Sequence, residues 1–212
     1  MELRLHAPFH FKHMPSSWVE IANSALIKIG TGTITGFNDL TKAEQLTKER
    51  YPKARDAVLR LHPWNCAITR VLTASLASPV PAFGYEYYHE LPSDCLRVIN
   101  VGPDGDYKIE GRYIATDSTE SELTYIQRIE DPTLLDYVCA EAIACDLARD
   151  LSTAFLDDDA QRQRMWRDFS EVLRQAKSVD GKEDPMSIVE AEDWLNSRMT
   201  SPGIDRSMNW AN

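Results

Sequence analysis

The sequence predicts an α+β protein, mainly a helical bundle with a small antiparallel β-sheet inserted into it. Three observations carry this expectation. Apolar residues recur at helical spacing from residue 17 to about 62 and again from about 131 to 199. Between about 67 and 129 the period falls to two, with β-branched and aromatic residues in short runs. Capping and stop signals punctuate the helical parts. The expected organisation is an arm (1–16), a bundle built from 17–66 and 130–199, an inserted β-meander (67–129) and a C-terminal tail (200–212).

The arm has no usable period, and Pro8 and Pro15 break it. The first helix should begin at Ser17, because Ser17-Trp18-Val19-Glu20 is a capping-box pattern. Ile21, Ala22, Ala25, Leu26 and Ile29 then share one face, and Gly30 supplies the left-handed stop. The stretch GTGTITGFND follows. It lacks the Gly-Lys-Ser/Thr of a phosphate loop and the GxGxxG spacing, so it reads as a turn and a short edge strand.

Thr41-Lys42-Ala43-Glu44 opens a second helix, whose expected stripe is Leu46, Arg50, Ala54, Ala57, Val58 and Leu61. Pro52 should kink or split it near Tyr51. It should end at His62, since Pro63 disfavours helical geometry in the residue before it. Strands are expected at 85–91, 95–101, 107–116 and 122–129, with Pro103-Asp104-Gly105 and 117–121 as turns. Asp131 as cap and Pro132 at the first helical position should start a third helix, reaching about Leu156. Its Ala140, Ala142, Ala144 and Ala148 allow a close neighbour. A fourth helix is expected from about Ala160 to Val179, with Met165, Phe169, Val172, Leu173 and Ala176 inward. Residues 181–184 should break it, and Pro185 should open a fifth helix to about Met199.

Composition narrows the function. Hydrophobic residues make up 43% and charged residues 26%, which suits a globular protein. No run approaches the ~18 apolar residues of a membrane span, and the first residues lack the apolar core of a secretory signal. The four cysteines, Cys66, Cys95, Cys139 and Cys145, have neither CxxC spacing nor disulfide density, so they read as reduced thiols. A net charge of −10 argues against gripping nucleic acid by phosphate neutralisation.

Each candidate site has a structural explanation beside the chemical one. His62 and Cys66 are close in sequence, but Pro63 keeps a helix from placing them on one face, and nothing local orients the histidine. Pro63 and Trp64 read instead as a helix stop and an anchor, alongside Gly30 and Asp131 at other helix ends. His6, His10 and His13 have spacings that could face a metal, yet Pro8 interrupts them and no further ligand completes a set, so a solvated or docking arm is expected. Asp157 to Asp159 could hold a cation, but capping the fourth helix accounts for them. No GxSxG or HExxH is present, and no carboxylate pair is singled out by spacing. The expectation is a protein with no catalytic residues, no metal and no cofactor. The tail carries Ile204, Arg206, Met208 and Trp210 in a polar setting and reads as a docking segment that orders on a partner.

Several segments occur in a recognisable order. They are Ala22-Asn23-Ser24-Ala25-Leu26 to Ile29-Gly30, then Tyr51, Arg55-Asp56, Leu59 and His62-Pro63-Trp64-Asn65-Cys66-Ala67. Next come Gly84-Tyr85 to Leu91-Pro92-Ser93-Asp94-Cys95-Leu96-Arg97-Val98, Glu110-Gly111-Arg112 and Arg174-Gln175-Ala176. Over about residues 17–200 the chain resembles the tail tubular protein A family, the head-to-tail adaptors of short-tailed phage virions. The arm before residue 14 is not part of that pattern. The resemblance implies a structural virion protein: a homo-oligomeric ring, usually of twelve, below the portal protein. Such a ring extends the channel for DNA, which passes without specific binding. It joins the portal to a nozzle (tail tubular protein B), and in several phages its rim holds tail fibres. The portal would then be the tail's partner. A tail-borne glycan hydrolase and a neck adaptor of a long-tailed phage, contacting a stopper ring, are the alternatives.

Overall fold

The computed structural model describes residues 17–38, 41–102 and 106–183. The arm with His6, His10 and His13, the turn at 103–105, the expected fifth helix and the tail residues Ile204, Arg206, Met208 and Trp210 lie outside the described residues. Within them the fold is α+β, with four α-helices and six strands. None of the described helices is long and apolar enough to cross a membrane.

Helix α1, Trp18–Lys28, starts where Ser17 Oγ accepts the Glu20 N–H at 3.3 Å. It ends in a Schellman motif. Gly30 N–H reaches Ile27 O, and Thr31 N–H reaches Leu26 O, both at 3.0 Å, with Gly30 at φ 77°. A Cβ at Gly30 would meet nothing within 4 Å, so the left-handed backbone is the only obstacle to a side chain there. Gly30→Ala should therefore lower stability by about 1 kcal/mol with an unchanged fold, as read by urea denaturation. The expected edge strand after Gly30 is absent from the described residues. Asn23 takes its place: its amide donates to Ile34 O at 2.9 Å and accepts from Ile34 N–H at 2.8 Å, acting as a one-residue strand partner.

Helix α2, Lys42–Leu61, has the full reciprocal capping box between Thr41 and Glu44. Pro52 does not split it. Pro52 is exposed, so the ladder bond its ring removes lies on the solvent side, while Tyr51 and Ala54 are buried on either side of it. The buried face is also rotated from the expected stripe. It runs through Glu44, Thr47, Tyr51, Ala54, Arg55, Val58 and Leu59, and leaves Ala57 and Leu61 exposed.

Two of those residues are unusual. Thr47 Oγ1 and Tyr51 OH are buried without a hydrogen-bond partner among the described residues. Burial pushes the Tyr51 phenol up to about 12. A raised value in the fold means stability that is whole below pH 10, the ordinary value, and lost as pH rises through about 12. Burial likewise pushes Tyr125 to about 12 and the Cys145 thiol to about 11, so the fold should be alkali-labile. Tyr51→Phe should be neutral or stabilising by about 1 kcal/mol at pH 8, because it removes an unsatisfied hydroxyl. Its advantage over the parent should grow by about 2 kcal/mol by pH 12. Denaturation at the two pH values reads both effects.

The β-region is not one meander. It forms two three-stranded antiparallel sheets, ordered β1-β6-β3 and β2-β5-β4. The strands are β1 Ile68–Ala74, β2 Tyr87–Glu90, β3 Cys95–Val101, β4 Lys108–Glu110, β5 Tyr113–Thr116 and β6 Glu120–Gln127. The sequence reading names no strand at β1, which pairs in register with the last strand, Ile68 opposite Ile126. The expected strand 107–116 is a hairpin, turned at Gly111 with φ 64°. Strand β6 separates two cores. Ile126 faces the helices, while Leu123 and Tyr125 join Val101 and Ile114 in a small core shared by both sheets. Strand β3 serves both cores through register shifts between Cys95 and Arg97 and between Val98 and Asn100. The unpaired residues, Leu96 and Ile99, pack against the helices, whereas Cys95, Val98 and Val101 pack towards the second sheet.

Asp131 does not start the third helix. It caps a separate 3-10 turn, Pro132–Leu134, after which Leu135 is extended. Asp136 then caps α3, Tyr137–Phe155, by accepting the Val138 N–H at 3.0 Å. Asp158 accepts the Ala160 N–H at the start of α4, Asp159–Glu183, and Asp159 pairs with Arg162. Helix α4 continues through Gly181 instead of breaking there. The four helices and the helix-facing side of the β1-β6-β3 sheet share one large core, which includes Leu26, Val58, Trp64, Ile126, Ile143 and Leu147.

Candidate functional site

The block His62 to Ala67 is where α2, β1, α3 and α4 meet. His62 is extended (φ −143°, ψ 146°), as a residue before proline should be, and α2 stops. Pro63 is half-buried. Trp64 folds back under the helix it terminates. Its ring is buried, and Nε1–H donates to Val58 O at 2.9 Å, satisfying one of the carbonyls orphaned at the helix end.

Asp180 of α4 closes the junction from the far side. Its Oδ2 lies 2.7 Å from His62 Nε2, and its Oδ1 accepts the Asn65 backbone N–H at 3.0 Å. Its backbone carbonyl accepts from Asn65 Nδ2, also at 3.0 Å. His62 packs edge-on to Trp64 at 5.0 Å. The histidine therefore does have an orienting carboxylate, supplied from 118 residues away in the chain.

This pair does not complete a cysteine-nucleophile arrangement. His62 Nε2 faces Asp180, and the groups that act on Cys66 are Cys139, Asp136 and Asp180. The Cys139 thiol, helped by the Asp136 backbone N–H, holds the Cys66 thiol below its ordinary value against the opposing effect of burial. Cys139, donating to Cys66 in a buried setting, is pushed well above its ordinary value. The geometry fixes α4 to the start of the first sheet.

Of the other segments quoted for the resemblance, the strand entry at Asp94, Arg55-Asp56 and the Gly111 turn make contacts between elements, whereas Arg174-Gln175-Ala176 lies inside α4. Asp94 Oδ1 accepts from Tyr125 OH at 3.2 Å, Oδ2 accepts from Gln127 Nε2 at 2.8 Å, and its carbonyl accepts the Arg128 N–H at 2.8 Å. Asp56 bridges Arg55 (2.9 Å) and Arg128 (3.0 Å), tying α2 to the end of β6. Leu91 N–H donates to Arg112 O at 2.9 Å beside the Gly111 turn. Between the sheets, buried His89 lies 2.9 Å from Ser118 O through Nε2 and 3.2 Å from Thr73 Oγ1 through Nδ1. Sequence reasoning missed Asp180 and His89 altogether, and it quoted Asp56 and Asp94 only within the resembling segments, without their roles. Each has a partner distant in the chain, which local pattern does not show.

Gly30 and Asp131 sit at their own local ends, as described above, and neither is part of the junction. Among the described residues no group of three or more His, Cys, Asp or Glu side chains is arranged to hold a metal ion. Comparison with protein-family models and with curated proteins finds no match to the chain.

Proposed function

We propose that this chain is a non-enzymatic head-to-tail adaptor of a tailed-phage virion, one subunit of a ring seated below the portal. The reading rests on the resemblance to the tail tubular protein A family. The observation that best supports it is where four of the resembling segments fall. The Gly30 stop, the His62 to Ala67 block, the Asp94 strand entry and the Glu110-Gly111-Arg112 turn are all joints between elements. Residues placed at joints define the shape of a building block.

In this reading α1 to α4 form a bundle from which the paired sheets project, giving a subunit with two unlike flanks. Unlike flanks make heterologous contacts, which close into a ring when the rotation allows. A net charge of −10 suits a channel wall that must not retain DNA. The tail residues Ile204, Arg206, Met208 and Trp210 would seat the ring on the portal, with a nozzle below it and tail fibres at its rim.

Sedimentation with purified portal rings of the same phage tests this. The full chain should bind in a fixed ratio to portal subunits, and removal of residues 200–212 should abolish binding while the circular dichroism spectrum is retained. Binding undiminished by that deletion removes the tail's role. A full chain that never binds portals removes the adaptor reading.

A further inference from the structure

Two surface features are unlike one another and complementary. The first is the loop between β1 and β2. Residues 71–85 contain no charged side chain, in a chain that is 26% charged. At this loop Phe83 is 89% exposed and Val80 61% exposed. Carboxylates flank its β2 end. Tyr85 OH donates to Asp106 at 3.0 Å, and the Glu86 N–H donates to Asp117 at 3.0 Å.

The second is a groove of about 500 Å3 at the end of α2, where three cations, Arg60, Arg97 and Arg149, and one carboxylate, Asp146, line a floor of Leu61, Trp166 and Phe169. Its apolar floor is open to solvent, with Trp166 54% and Leu61 49% exposed. Arg149 is held in place by Asp146 at 2.8 Å and by stacking over Trp166 at 4.3 Å. Arg60 and Arg97 have no carboxylate partner among the described residues. Helix α2 itself carries six Lys and Arg against three Asp and Glu, a net of +3.

We propose that the Phe83 loop of one copy docks in the Arg60–Arg97–Trp166 groove of a second copy of this chain. An aromatic knob with an acidic collar meets an apolar floor with a basic collar. Copies that each carry −10 repel on average, so contact is favoured where one surface is neutral at its tip and the other is locally basic. Knob and groove lie on different parts of the subunit, so the contact is head-to-tail and needs no two-fold axis. The proposal rests on the ring reading above and names its subunit contact.

The test uses the full chain, concentrated until sedimentation velocity shows oligomers or assembled on portal rings. Photolysis of Phe83→benzoylphenylalanine should cross-link copies at Leu61 or Trp166, located by peptide mass spectrometry. Arg60→Glu and Glu86→Lys, both exposed, should each weaken association about tenfold, and the chain carrying both should recover to within about threefold. Association with cross-links elsewhere, or indifferent to either charge reversal, overturns this contact but leaves the ring. Duplex DNA binding that Arg60→Glu abolishes, with association untouched, assigns the groove to nucleic acid and also overturns it. Absence of any association between copies overturns both the contact and the ring reading.

Discussion

Trp64→Ala should lower stability by about 3–5 kcal/mol, the range for emptying a fully buried aromatic site. Two losses combine. The indole is 1% exposed within the core common to all four helices, so its removal leaves a cavity at the centre of the junction. The Val58 carbonyl also loses its donor at the end of α2. Trp64→Phe separates these effects, because it keeps much of the apolar volume and removes only the N–H; about 1–2 kcal/mol is expected. Urea denaturation of both variants measures the difference. If Trp64→Ala cost under 1 kcal/mol, Trp64 would not be the anchor of this junction.

Asp180→Ala should be the next largest change, at about 2–4 kcal/mol. It removes the acceptor of the Asn65 N–H and the partner of His62 together, leaving both largely buried groups unpaired. Asp180→Asn should lose about half as much, since its amide oxygen still accepts from Asn65. The damage should also be local. Amide exchange should accelerate at residues 62–67 and in α4 near Asp180, while β2, β4 and β5 keep their protection. A double-mutant cycle between His62 and Asp180 should show coupling, because the two lie 2.7 Å apart. Additivity would mean that the pair is incidental and that Asp180 acts through Asn65 alone.

Legibility in the sequence followed how local each determinant is. Helix starts at Ser17 and Thr41 and the stops at Gly30 and His62-Pro63 were readable, since a cap or a proline acts within four residues. The strand expected near Ile34 was not formed because a side chain, Asn23, does the pairing. Strand β3 was legible as a strand but not as a shared wall, because its bulges at Leu96 and Ile99 override the two-residue period. The 107–116 run looked continuous although Gly111 turns it back on itself. Asp131 was expected to start the third helix, but the extended backbone of Leu135 separates its 3-10 turn from the helix that Asp136 caps. The candidate site was half legible. The block from His62 to Cys66 stood out, but Asp180, which holds it, lies where the sequence suggested a helix ending.

The proposed contact between copies has the same character. Neither Phe83 nor Arg60 is part of a motif. They become informative when the fold shows one exposed on an uncharged loop flanked by carboxylates and the other unpaired beside an open aromatic floor.

The central claim is that this chain is a ring component of a virion neck. The most direct measurement is quantitative protein composition of purified virions together with cryo-EM of the neck. The adaptor reading predicts this chain as a ring directly below the portal, in fixed ratio to it. Its absence from virions, or a low and variable copy number away from the neck, would contradict that reading.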